Sequence, residues 1–168
     1  MNRARIRTIM GGSVAATVLI VDQLSKLWAL AALQVQGESQ PLFGLLKATL
    51  VFNRSNAFGV VPVAGDLSRW GLVSFNLAAA AALVWWLARY RHSRLSAIGA
   101  GLLIGGAVGN GLDRLRLGYV VDFVDASALH FNWVFNIADA AVNLGICCVL
   151  LSAVILPAMH QRRGVQIA

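Results

Sequence analysis

Four stretches of this chain, at residues 9–33, 70–87, 95–112 and 133–156, are apolar and near the length of a membrane-crossing helix. Such a helix needs about 20 mostly apolar residues. No other feature constrains the fold as strongly. Lipid offers no water to unpaired N–H and C=O groups, so each stretch must satisfy its own backbone as a helix. Composition agrees. Hydrophobic residues make up 58% and charged residues 12%, against roughly 45–50% and 25% in a soluble domain. A water-soluble globule, a disordered chain and a fibrous repeat are excluded. With 168 residues, and about 100–200 residues to a domain, the expectation is one integral-membrane domain over 1–168.

Charge then orients the helices. The short pieces at 1–8, at 88–94 and after Pro157 hold eight of the 14 Lys and Arg residues and none of the seven acids. The longer connectors, 34–69 and 113–132, are mixed. Basic segments stay on the cytoplasmic side. Both termini are therefore expected inside and both longer connectors outside. The net charge of +7 reads as topology, and no nucleic-acid partner is expected. One local alternative is that the first span, with Ala29-Leu30-Ala31 at its end, imitates a cleavable signal peptide. Cleavage there would discard Asp22 and Lys26.

The outer connectors carry their own pattern. Leu46, Ala48, Leu50 and Phe52 alternate with Leu45, Lys47, Thr49 and Val51, a period of two that predicts a strand. Residues 119–125 are rich in β-branched side chains and follow Gly118, again strand-like. The apolar run 58–63, closed by Pro62 and Gly65, predicts a short interfacial segment. The expected architecture is thus an all-α membrane protein. Four transmembrane helices carry a small extracytoplasmic β-sheet and a short interfacial helix.

Ionisable residues inside a span are costly and mark function by default. Asp22 and Lys26 lie in the first span, Asp139 in the fourth, and Asp113, Arg114 and Asp122 follow the third. At ~1.5 Å per residue, Asp22 lies roughly 20 Å beyond residue 9, in the outer half of its helix. Asn110 and Arg114 sit at the outer end of the third helix, and Asn136 and Asp139 in the first turns of the fourth. The polar groups therefore converge on one layer. Asp22 and Lys26 have the i,i+4 spacing and order of a helix ion pair, which reads first as a structural tie. Asp113 and Arg114 read equally as a solvated helix end. Asn53 and Asn136 read equally as caps or turn residues. Asp122 and Asp139 are candidates for a shared acid–base site, because two close carboxylates do not readily both ionise. Cys147 and Cys148 are adjacent in an apolar helix and behave as small hydrophobes. No metal or cofactor motif occurs, and none is expected.

The residues at these positions make the chain recognisable. Asp22-Gln23-Leu24-Ser25-Lys26, Gly105-Gly106-Ala107-Val108-Gly109-Asn110-Gly111-Leu112-Asp113-Arg114, Gly118-Tyr119-Val120-Val121-Asp122-Phe123 and Phe135-Asn136-Ile137-Ala138-Asp139 resemble, in order and spacing, the motifs of the bacterial lipoprotein signal peptidases (signal peptidase II). In the first connector the family pattern Asn-x-Gly-Ala-Ala-Phe is matched by Asn53, Ala57 and Phe58, while Ser55 and Asn56 depart from it. The resemblance implies an aspartic endopeptidase of the bacterial inner membrane. Its partners would be membrane lipids and a lipid-modified prolipoprotein, cut before the lipid-bearing cysteine. It implies Asp122 and Asp139 as the catalytic pair. Asn53, Asn110, Arg114 and Asn136 would line the site, and Asp22 and Lys26 would support it. A monomer is expected, with the site toward the outer leaflet. The competing classes are a proton- or ion-coupled transporter and a membrane scaffold.

A topology reporter fused after Ala168 is expected to read cytoplasmic. An outside reading would overturn the charge assignment.

Overall fold

The structure, a computed structural model, describes residues 3–54, 66–90, 93–131 and 133–164. Four helices dominate it: α1 (Arg3–Ala32), α2 (Asp66–Arg89), α3 (Arg94–Leu117) and α4 (Ile137–Gly164). Each contains a segment long and apolar enough to cross a membrane. Helix α3 is central, and the other helices pack on it. Four strands form one antiparallel sheet in the order β1 (Ser39–Phe43), β2 (Leu46–Asn53), β3 (Val120–Asp125) and β4 (Val134–Phe135). They follow the C-terminal ends of α1 and α3 and precede α4, so the sheet caps one end of the bundle.

The bundle inverts the usual sidedness of a soluble protein. On α1, Asp22, Lys26 and Ala29 are buried on one face, continued by Leu33 just past the helix end, while Ile20, Leu24, Leu27 and Trp28 are exposed where lipid would lie. Close approach of the helices depends on glycine. A Cβ on Gly105 would stand 2.7 Å from the Ala15 carbonyl oxygen of α1, and one on Gly106 would stand 2.6 Å from the Ala138 carbonyl oxygen of α4. Small residues permit this backbone proximity, which drives helix association in lipid. At the end away from the sheet, the Ser152 hydroxyl lies 2.7 Å from that of Ser93 and 2.6 Å from that of Ser96, tying α4 to the start of α3.

The sheet rests on the helix ends through apolar contacts. Ala48 and Leu50 of β2 pack with Val121 of β3 and with Leu33. Phe123 of β3 packs with Ala29 and meets Trp28 edge-on at 6.1 Å. The strands expected at 45–52 and 119–125 are thus present as β2 and β3.

Several boundaries differ from expectation for identifiable reasons. Helix α3 continues past residue 112 to Leu117. Arg69 of α2 donates from Nε to the Arg114 carbonyl (2.8 Å) and from Nη2 to that of Leu115 (2.7 Å), satisfying groups that a helix end leaves open. Gly118 then ends the helix at φ 82°, a left-handed conformation that favours glycine. Helix α4 begins at Ile137 rather than near 133, because Val134 and Phe135 pair with Asp125 and Val124 of β3. The interfacial segment expected at 58–63, and the motif departure at Ser55 and Asn56, lie outside the described residues.

Replacing Gly106 with Ala is expected to destabilise the bundle by about 1–3 kcal/mol, the usual cost of overpacking. Gly12→Ala is the control, since nothing stands within 4 Å of its added Cβ. Thermal unfolding in detergent measures both. Equal melting temperatures for the two variants would contradict the close-packing assignment.

Candidate active site

The polar residues of the sheet end form two connected layers. The lower layer centres on Lys26. Its ammonium donates to Asp22 Oδ2 (2.8 Å), Asp113 Oδ2 (2.8 Å) and Asn110 Oδ1 (3.0 Å). An ammonium has three N–H donors, so all are used. Lys26, Asp22 and Asp113 are each exposed by 3% or less. A buried charge is tolerable only when paired and hydrogen-bonded. The two acids extend the cluster to other elements. Asp22 Oδ1 accepts the Ala138 N–H at 2.9 Å, stabilising the N-terminus of α4 from across the bundle. Asp113 Oδ2 accepts the Val121 N–H at 3.2 Å, fixing β3 one residue before Asp122. Gln23 Nε2 joins the two acids, at 3.3 Å from Asp22 Oδ2 and 3.0 Å from Asp113 Oδ1.

The upper layer holds Asp122 and Asp139. Asn136 Nδ2 donates to Asp122 Oδ1 at 2.6 Å and to Asn110 Oδ1 at 3.2 Å. Asn110 Nδ2 donates to Asp139 Oδ1 at 2.7 Å. Two asparagine amides, bonded to each other, therefore hold one carboxylate each. Asn53 Nδ2 donates to the second oxygen of Asp122 at 2.9 Å. Asn136 also caps α4. Its Oδ1 accepts the Asp139 N–H at 2.9 Å, and its own N–H donates to Asp139 Oδ2 at 3.4 Å. This reciprocal pair has the form of a capping box. It sets the Asp139 side chain as it starts the helix. The buried Arg114 guanidinium bonds the Asn110 carbonyl at 3.4 Å and interacts electrostatically with Asp139, Asp122 and Asp113.

Burial pushes the Asp122 carboxyl up to about 7, and the negative charge of Asp139 pushes in the same direction. Its bonds to Asn53 and Asn136 oppose the shift without cancelling it. Such a group can hold a proton at neutral pH and release it.

All eight residues singled out from the sequence meet here: Asp22, Lys26, Asn53, Asn110, Arg114, Asp122, Asn136 and Asp139. Two readings shift. Asp113 and Arg114 are buried at 3% and 7% exposure and form no solvated helix end. Asn136 is a cap and an amide donor at once. The importance of Gln23 and Asp113 is new. Their tie spans 90 residues of sequence, so local spacing carries no signal of it. The sequence shows both only as members of the family motifs, with no role attached to either.

Fold and site together define a polytopic membrane protein in which two carboxylates, Asp122 buried and Asp139 half-buried, are held by bonded asparagine amides where a small sheet meets the helix ends. Residues 14–155 match the family model described as signal peptidase (SPase) II. The chain is 43% identical over 143 residues to a lipoprotein signal peptidase of Caulobacter vibrioides, covering 84% of each protein. It is 36% identical over 134 residues to that of Ralstonia nicotianae, covering 79% of this chain and 77% of the other. Among solved structures it is similar to a bacterial membrane enzyme determined by the in meso method at 2.3 Å resolution. That match has a TM-score of 0.75 at 26% identity and covers 85% of this chain and 86% of the other. The chain belongs to the signal peptidase II family, and that family is one of peptidases.

Lys26→Met is expected to lower stability by about 3–5 kcal/mol, because it leaves buried carboxylates uncompensated. Adding Asp113→Asn should restore part of the loss. Denaturant unfolding of the purified protein reads both, and an unchanged midpoint in Lys26→Met would refute the central role of the ammonium.

Proposed function

We propose that the chain, acting as one peptidase domain, removes the signal peptide from lipid-modified prolipoproteins, with Asp122 and Asp139 as its catalytic pair. The observation that carries this reading is the amide bridge. Asn136 and Asn110 hold one carboxylate each while bonded to each other, in a chain of a peptidase family. One carboxylate takes a proton from water as its oxygen attacks the scissile carbonyl carbon. The other, carrying the pair's proton, hydrogen-bonds the carbonyl oxygen. Collapse of the tetrahedral adduct breaks the C–N bond, and the nitrogen leaves with a proton from the pair. The proton is assigned to the pair, since coupled groups titrate together. Asn53, Asn110, Asn136 and Arg114 position substrate and carboxylates. Asp22 and Lys26 support them from α1.

The substrate explains the depth of the site. The apolar segment of a signal peptide lies across the membrane, and the acyl chains of the lipid-modified cysteine stay in lipid. The bond before that cysteine therefore falls near a membrane surface. By the charge asymmetry this is the outer surface of the bacterial inner membrane. A relay for ions or protons would need ionisable groups through the bundle. Among the described residues, the buried charged side chains Asp22, Lys26, Asp113, Arg114 and Asp122 all gather at the sheet end.

Purified protein is expected to cleave a diacylglyceryl-modified precursor in detergent. Asp122→Asn and Asp139→Asn should each lower kcat by at least about a thousandfold while the melting transition persists, the scale expected for removing part of an acid–base unit. A carboxyl raised to about 7 is mostly protonated below that pH and ionised above it. The rate should therefore fall on the alkaline side with a midpoint near 7 as the pair loses its proton. Full activity in either variant, or a rate unchanged from pH 6 to pH 9, would remove the pair from the mechanism.

A further inference from the structure

The β1–β2 hairpin ends in an apolar tip. Phe43 pairs with Leu46, so Gly44 and Leu45 make the turn. No charge occurs between Glu38 and Lys47. Phe43 is 81% exposed and Leu45 62%. Large apolar side chains exposed together mark a contact surface. Packing shows where the tip lies. Leu33, just past the end of α1, packs with Ala48, Leu50 and Val121. One turn earlier, about 6 Å further into the bundle, Ala29 packs with Phe123 and Val124, and Leu46 packs against that cluster. The path from Leu50 back to Leu46 therefore descends alongside α1, and the tip lies beyond Leu46. At and below that level α1 turns Leu24, Leu27 and Trp28 outward to lipid. The Trp28 ring meets Phe123 of the sheet at 6.1 Å.

A second apolar group stands at the same end of the sheet. Val134 and Lys47 both pair with Asp125, on either side of β3. Trp133 and the hairpin tip therefore lie beyond the same strand ends. Trp133 is 69% exposed. Its ring meets Phe131 at 5.2 Å, and Phe131 meets Phe135 at 5.9 Å. Tryptophan is enriched where lipid meets water. Lys47 and Asp125 are the first charges behind these side chains, and they stand opposite each other. Leu46, Ala48 and Leu50 turn toward the helix ends, which puts Lys47 on the other face of β2. A charge is costly in hydrocarbon, so this pair limits how far the sheet can sink.

We propose that this end of the sheet enters the bilayer. Phe43, Leu45 and Trp133 sit in the lipid of the leaflet on the sheet's side, and Lys47 and Asp125 stop at the headgroups. The partner is the lipid surface rather than another protein, because the tip extends downward beside the lipid-facing side chains of α1. The sheet is then held twice, by its packing on α1 and by the membrane itself.

The test uses the full chain in phosphatidylcholine vesicles, with C147A and C148A removing the native thiols. A nitroxide is attached after F43C or L45C, and after Q36C as the control. Gln36 is exposed at the other end of the sheet, where the Gly37 N–H donates to the Leu50 carbonyl at 2.8 Å. Labels at 43 and 45 are expected to collide more with oxygen, which dissolves in lipid, than with a water-soluble nickel chelate. The label at 36 should show the reverse. The same preference at 43 and 45 as at 36 would place the tip in water and overturn the proposal. Labels at 43 and 45 shielded from both reagents would show protein covering the tip, a second copy or another part of this chain, and would also overturn it. Should a labelled variant not fold, the unlabelled chain carries the test through Trp133. Its emission, taken as the difference between wild type and W133F, should be quenched by phosphatidylcholine brominated on its acyl chains. Equal emission in brominated and plain lipid would overturn the insertion. Precursor cleavage is not the readout, so the result stands apart from the peptidase assignment.

Discussion

The sheet end of this protein depends on one buried ammonium. Lys26 bonds two carboxylates and one amide oxygen. In a low-dielectric interior none of these partners tolerates the loss of the others. The dependence spreads outward. Asp22, fixed by Lys26, receives the first turn of α4. Asp113, fixed by the same ammonium, receives the backbone of β3. Asn110, also fixed by it, reaches Asp139. Every element that carries a candidate catalytic carboxylate is thus referred to a single charge on α1.

Around that charge the fold reuses its polar groups. Asn136 ends β4's segment, starts α4, holds Asp122 and orients Asp139. In lipid each additional buried polar atom is a liability. A residue that serves as cap and as amide donor keeps their number low. The same economy explains the glycines of α3. With no side chain at 105, 106 and 109, its backbone comes close enough to α1 and α4 for short side chains such as Asp22 to reach across.

The sequence made some of this legible and hid the rest for physical reasons. The spans were readable because the bilayer, rather than a particular partner, selects apolar runs of their length. β2 was readable because one face of it is covered, which imposes alternation, and β3 because both its faces are covered, which favours a run of β-branched residues. β1 was not, since all its residues are exposed and Pro41 interrupts it. β4 was not, since two residues carry no period and owe their conformation to β3. Asp22 and Lys26 announced their tie by helical spacing. The contribution of Asp113 to the same tie required the packing of α3 on α1, which no local pattern encodes.

The cap at Asn136 has a consequence for how the protein comes into being. Asp139 and the amide that holds Asp122 both belong to the last helix, and the acid that receives that helix belongs to the first. The chain emerges N-terminus first. Until α4 has entered the membrane and docked against α1, the second carboxylate is missing and Asp122 lacks one of its amides. A partly inserted chain therefore lacks one carboxylate and one amide of this cluster, which is completed with the closing of the bundle.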